Sequence, residues 1–141
     1  MKKKQALTDV EKKHLIERIA AFLQTKKYIV FAYVFGSFSS GKTFNDIDVA
    51  LFISADKSGS ILPQELALER ELGDVLNFSV DVRIINSTPL PFTYNVLKSG
   101  IVILDNDKSV RTDFEGLIYK KYFDYAHLRN EYLREITNAA V

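Results

Sequence analysis

Apolar and polar positions follow one another along the chain with a period that switches between helical and extended, and each switch marks an element. Thr8 followed by Glu11 has the form of a capping box, in which hydroxyl and carboxylate each take a backbone N–H that the first helical turn leaves unpaired. Leu15, Ile19, Phe22 and Leu23 recur behind it at helical spacing, which predicts an amphipathic helix over residues 9–25. Residues 28–35 form a continuous β-branched and aromatic run, the pattern of a strand covered on both faces. Residues 36–45 are polar, contain Gly36 and Gly41, and predict a loop with at most one helical turn. A second apolar strand is expected over 47–53, ended by the polar stretch 54–60. Leu62, Leu66, Leu68, Leu72, Val75 and Leu76 predict a helix opening near Pro63, a residue suited to a first turn. Residues 79–85 read as a third strand, with Val80, Val82 and Ile84 on one face and Asp81, Arg83 and Ile85 on the other. After Pro89 and Pro91 a short helix runs to Lys98, Ser99 and Gly100 stop it, and Ile101 to Leu104 form a short strand. From Asp107 to the end, Phe114, Leu117, Ile118, Tyr122, Tyr125, Leu128, Tyr132 and Ile136 sustain a long helix. Its Tyr and Phe stripe is expected to be mainly core, with Tyr119, Tyr125 or Tyr132 as candidates for facing a partner chain.

The resulting order places one small sheet among helices in a single domain over residues 1–141, in the α/β or α+β class. Composition narrows the chemistry. The 141 residues contain no cysteine, which excludes a disulfide framework, a thiolate metal site and a cysteine nucleophile. Nineteen Lys and Arg against 18 Asp and Glu, a formal charge of +1, argue against a binder that relies on neutralising nucleic-acid phosphates. Lys2 to Lys4 are followed by Gln5, Thr8, Asp9 and Glu11 where a signal peptide needs an apolar region, and no apolar run is long enough to span a bilayer. A soluble cytoplasmic protein is expected. His14 and His127 have no partner at metal-ligand spacing.

Residues 36–43, GSFSSGKT, satisfy the P-loop pattern GxxxxGK[ST] after a hydrophobic strand. A P-loop, however, opens into a helix whose amides hold the phosphates, and here only a few residues separate Thr43 from an apolar strand. The P-loop NTPase reading is therefore the weaker one. A second reading joins Gly36-Ser37 at the end of one strand to Asp46-Ile47-Asp48 at the start of the next. Two residues apart on a strand, both carboxylates point to one face. Asp81 joins them if its strand pairs with the second. Three such carboxylates repel one another, so at least one should have a raised pKa unless a cation intervenes. Hard oxygen donors suit Mg²⁺, which typically takes one or two carboxylates plus phosphates of its substrate. Gly36 permits close backbone approach to a phosphate, the Ser37 hydroxyl is a candidate ligand for a triphosphate tail, and Lys42 is a candidate charge near its β or γ phosphate. Arg83, on the face of Asp81, is a candidate for substrate contact or for an ion pair with a neighbouring carboxylate.

Gly36-Ser37, Asp46-x-Asp48 and a distal Asp81 on a strand resemble the signature of the DNA polymerase β-like nucleotidyltransferase superfamily. The short length, the segment from Val80 through Pro89 to Leu104, and Phe114-Glu115 with Tyr122-Phe123-Asp124-Tyr125 on the last helix resemble its minimal nucleotidyltransferase (MNT) branch. The resemblance covers nearly the whole chain from Tyr28 onward. It departs from the family pattern in Asn45, where Ser is commoner, and in a slightly short loop before the Asp pair. It implies a nucleotidyltransferase palm: a small mixed β-sheet with helices packed against it and a long C-terminal helix. It further implies that Gly36 and Ser37 bind the triphosphate, that Asp46 and Asp48 hold the metals, and that Asp81 completes the metal site or acts as the base.

Family members act on different acceptors. The chain offers little beyond a catalytic palm and no basic excess for gripping nucleic acid. The best fit by resemblance is the antitoxin of a HEPN/MNT toxin–antitoxin pair, which transfers AMP from ATP to a tyrosine of its HEPN ribonuclease partner. The alternative is an antitoxin that neutralises its partner by binding alone.

Overall fold

Thr8 does open the first helix. Its hydroxyl accepts from the Glu11 N–H and its own N–H donates to the Glu11 carboxylate, both at 3.1 Å. In the computed structural model, which describes residues 6–41, 43–55 and 59–139, the elements run α1 (Asp9–Gln24), β1 (Ile29–Phe35), α2 (Ser37–Ser40), β2 (Ile47–Ile53), α3 (Ile61–Leu76), β3 (Val80–Ile84), α4 (Leu90–Ser99), β4 (Ile101–Asp105) and α5 (Lys108–Ala139). Every predicted element is present, and α2 is the single helical turn expected within the 36–45 loop. Asn77 ends α3 in the left-handed conformation (φ 57°, ψ 38°), its N–H returning to the Gly73 carbonyl at 2.8 Å.

The four strands form one mixed sheet in the order β3-β2-β1-β4. β1 is antiparallel to β2 and to β4, whereas β2 and β3 are parallel and joined by α3 as a crossover. Alternation along the strands gives two cores. On one face Val34, Val49, Leu51 and Val82 meet Leu15, Ile19 and Leu23 of α1 and Leu68, Leu72 and Leu76 of α3. On the other, Phe31, Tyr33, Ala50 and Ile85 meet Val96 and Leu97 of α4, with Phe114 and Ile118 of α5 against them. Asp48, Asp81 and Arg83 belong to this second face by strand alternation.

Two apolar stripes depart from expectation. Leu62, Leu66 and Val75 of α3 are exposed, and the stripe facing the sheet is Glu65, Leu68, Leu72 and Leu76. Glu65 is buried because β3 is an edge strand with outward N–H groups to satisfy. Glu65 accepts from the Ile84 N–H at 2.8 Å, and Glu69, one turn on, accepts from the Val82 N–H at 2.9 Å. The second departure is α5. Its 32 residues make a rod of about 48 Å, longer than the strands of the sheet it packs on, of which β1 has 7 residues and β4 has 5. Phe114, Ile118 and Tyr122 are partly buried, but the same helical face continues into Tyr125, Tyr132 and Ile136, all exposed, with Leu128 exposed beside them. The distal stripe is therefore not core.

The first half of α5 is fixed by a polar chain as well as by packing. The buried Tyr33 hydroxyl donates to Glu115 at 2.6 Å, and Arg111 bonds both Glu115 (2.9 Å) and Asp105 (2.8 Å), tying β1, β4 and α5 together. Burial, then the Glu115 carboxylate, push the Tyr33 phenol well above its ordinary range, so it stays a neutral donor.

Candidate active site

The segment from Gly36 to Asp48 is shaped by two aromatic anchors. Phe38 and Phe44 are buried and meet edge to face at 4.9 Å. The Lys12 ammonium donates to the Gly41 carbonyl at 2.7 Å, and the Gly36 carbonyl accepts from the N–H groups and hydroxyls of Ser39 and Ser40. Beyond Thr43 the chain passes through the bridge residue Phe44 into β2, not into a helix. The P-loop reading fails here, because the one short helix lies inside the motif and no helix begins at its end.

Gly36 stands where β1 ends, at φ 73° and ψ −154°, a region open to glycine and strained for other residues. A Cβ added there would lie 2.3 Å from Oδ2 of Asp48. The glycine thus serves two needs at one position: the turn out of β1 and the approach of its backbone to a carboxylate. Ser37 comes next, exposed, as the first residue of α2.

Asp48 pairs with Phe35 across β1 and β2 and is directly opposite Asp81 across β2 and β3. Facing residues on adjacent parallel strands share a face about 4.8 Å apart. The sheet therefore brings Gly36, Asp48 and Asp81 together, although they are far apart in sequence. Asp46, two residues before Asp48, is half-buried, with one carboxylate oxygen shielded from solvent. Lys42 lies outside the described residues.

A cleft of about 430 Å³ opens over Asp48 and Asp81 and is walled by Glu65 and Glu69 of α3, Arg83 of β3, and Phe35 and Phe92. Phe92 meets Phe35 edge-on at 5.8 Å, and the Arg83 guanidinium lies 5.8 Å from the centre of the Phe92 ring. Of the two roles considered for Arg83, the ion pair is not formed among the described residues; the side chain rests instead on the aromatic platform. Glu65, Glu69 and Phe92 were not singled out from the sequence. A signal for the first was present: a glutamate in register with Leu68, Leu72 and Leu76 marks a buried acid that needs a partner.

The donors facing one another are carboxylate oxygens, which suit a hard cation such as Mg²⁺ rather than a soft one. Among the described residues no group of three or more His, Cys, Asp or Glu forms a ready-made metal cage. His14 and His127 are exposed and lie near Glu17 (4.0 Å) and Glu131 (3.3 Å), apart from this cleft. Among the described residues no helix is long and apolar enough to cross a membrane.

Comparison with known proteins identifies the fold and the family. The fold is shared with a solved complex of tri-AMPylated Shewanella oneidensis HEPN toxin and MNT antitoxin, at 22% identity and a TM-score of 0.64 over 92% of this chain and 99% of that one. It is shared equally with a toxin-antitoxin complex containing AMP-PNP, at 20% identity, TM-score 0.64 and the same coverage, and with the toxin-antitoxin MntA-HepT, at 20% identity and a TM-score of 0.62, again over 92% and 99% of the two chains. No curated protein matches the chain significantly by sequence. The sequence profile described as Polymerase beta, Nucleotidyltransferase matches residues 17–109, most of the chain, and the protein belongs to that nucleotidyltransferase family.

Proposed function

We propose that this protein is a metal-dependent nucleotidyltransferase acting in the cytoplasm as an antitoxin, which transfers AMP from ATP to a tyrosine of a partner HEPN ribonuclease. The observation that carries the reading is the register pairing of Asp48 with Asp81 beside a glycine whose backbone closes on Asp48. The solved relatives add support, since one is a complex with an AMPylated HEPN toxin and another contains AMP-PNP.

In this reading Gly36 and Ser37 bind the triphosphate, with the Ser37 hydroxyl and nearby backbone N–H groups as donors, and Lys42 adds a positive charge toward the terminal phosphates. Asp46, Asp48 and Asp81 would hold Mg²⁺, with Asp81 alternatively accepting the proton of the attacking hydroxyl. When bound, the metal neutralises phosphate charge and polarises the oxygens that attack and leave. Asp48 and Asp81 face one another across packed strands, so in this reading little reorganisation of that pair is needed when substrate arrives.

A second reading, neutralisation by binding alone, draws on the exposed distal stripe of α5, which is available to a partner chain. One experiment separates the two: incubate the protein with labelled ATP, Mg²⁺ and its genomic neighbour, for wild type, Asp46→Asn and Asp48→Asn. Label on the partner with wild type and a loss of at least 10²-fold in the variants is expected. Equal labelling in the variants, or toxin silencing by wild type with no label, refutes the enzymatic account.

A further inference from the structure

We infer that Arg83, seated on the Phe92 ring, is the acceptor-side residue of this site: it meets the incoming phenolic hydroxyl and promotes its ionisation. The inference rests on the nucleotidyl-transfer reading above.

Three observations carry it. The first is position. Gly36 lies just past Phe35, which is level with Asp48, whereas Arg83 is level with Ala50, two residues further along the sheet in the opposite direction. Gly36 adjoins β1 and Arg83 belongs to β3, so the Asp48–Asp81 pair lies diagonally between them. The second is charge. Arg83 is the one basic side chain among the described residues lining the cleft, beside Asp48, Glu65, Glu69 and Asp81. It nevertheless forms no ion pair among the described residues and is held by Phe92, itself braced by Phe35. A cation kept on an aromatic ring retains its guanidinium donors for an anion or a developing oxyanion. The third is space. Arg83 also lines an adjoining hollow of about 200 Å³, shared with Glu65 and walled by Ile61, Asn86, Ser87 and Thr88, so it stands between the Asp48–Asp81 pair and room for a side chain.

The chemistry orders these parts. In phosphoryl transfer the attacking and leaving oxygens lie roughly in line across the phosphorus. With the triphosphate tail on Gly36 and Ser37, the acceptor enters from the side of Arg83. The acceptor oxygen forms a bond to the α-phosphorus of the nucleoside triphosphate as the bond from that phosphorus to the bridging oxygen breaks. The bonding pair leaves with pyrophosphate, and the hydroxyl proton passes to the Asp81 carboxylate, taken here in its alternative role as the base and not as a metal ligand. A positive charge beside the phenol favours its ionised form.

The test measures AMP transfer to the genomic-neighbour partner for wild type, Arg83→Gln and Arg83→Lys at saturating ATP across pH 6–9. Binding of AMP-PNP with Mg²⁺ is measured by calorimetry on the same proteins, and a thermal melt verifies that each is folded. Expected for Arg83→Gln are a loss of transfer on the order of 10- to 100-fold and AMP-PNP affinity within about twofold of wild type. Arg83→Lys should recover part of the rate. AMP-PNP affinity reduced tenfold or more would put Arg83 on the triphosphate side and overturn the inference. So would a Gln variant with wild-type rate. If folded wild type transfers nothing, the nucleotidyl-transfer reading fails and this inference falls with it, an outcome distinct from intact wild-type transfer that Arg83→Gln leaves unchanged.

Discussion

Replacing Gly36 by alanine probes the candidate site where backbone geometry and chemistry coincide. Two costs add. A non-glycine residue at φ 73°, ψ −154° carries strain on the order of 1–3 kcal/mol. The new Cβ, 2.3 Å from Asp48 Oδ2 and 3.3 Å from its Cγ, also overlaps the carboxylate, which must turn away. At roughly 4 °C per kcal/mol for a chain of this size, the strain alone lowers the melting temperature by about 4–12 °C. Displacing Asp48 by about 1 Å would reduce transfer on the order of 10²-fold beyond any loss of folded protein. The assay is a thermal melt paired with labelled-AMP transfer at a temperature where the variant remains folded. Gly36→Ser should behave like Gly36→Ala, since both add a Cβ. A Gly36→Ala protein that melts and transfers like wild type would refute the assignment of Gly36 to a strained approach on Asp48.

Other variants test the fold around the site. Glu65→Leu removes the acceptor of the buried Ile84 N–H and should cost about 1–3 kcal/mol in a denaturant titration, whereas Glu65→Gln, which keeps a carbonyl acceptor, should cost less. Tyr33→Phe deletes the donor to Glu115 and should destabilise by about 1.5–3 kcal/mol, measured by urea unfolding. Glu11 is held below its ordinary value by the Thr8 backbone N–H first and the Thr8 hydroxyl second, so its stabilising effect is fully present above the unfolded value of 4.5 and fades as pH falls through the lower folded one. Melts of wild type and Glu11→Ala across pH 2–7 should therefore converge at the acid end. Leu128→Ser and Ile136→Ser, on the exposed end of α5, should change stability by less than about 0.5 kcal/mol; a larger loss would mean that the stripe is buried after all.

What could be read from the chain was local. The capping box at Thr8 and Glu11, the β-branched runs of β1 and β2, and the prolines before α4 each act within a few residues, so their physics is written in order along the sequence. The Gly36-Ser37 and Asp46-x-Asp48 pair was visible for the same reason, because a strand end and a strand start separated by one short loop can be read together. Even the failure of the P-loop match was legible, since the apolar run at 47–53 left no room for a helix. The partner of that pair was harder. Asp81 could be placed on the right face of its strand, but only parallel pairing of β3 with β2 sets it opposite Asp48 rather than one or two residues away.

The sequence by itself determined the elements and the faces of the strands, because hydrophobic period and short-range hydrogen bonding are properties of neighbouring residues, and the family was legible in the resemblance carried by Gly36-Ser37, Asp46-x-Asp48 and Asp81. Tertiary structure alone decided which faces were covered. Glu65 is a core residue because β3 became an edge whose N–H groups need an acceptor. Tyr132 and Ile136 are exposed because α5 outruns the sheet. Arg83 rests on Phe92 because α4 returns across the same face. Burial is set by what else arrives in space, and no local pattern carries that information.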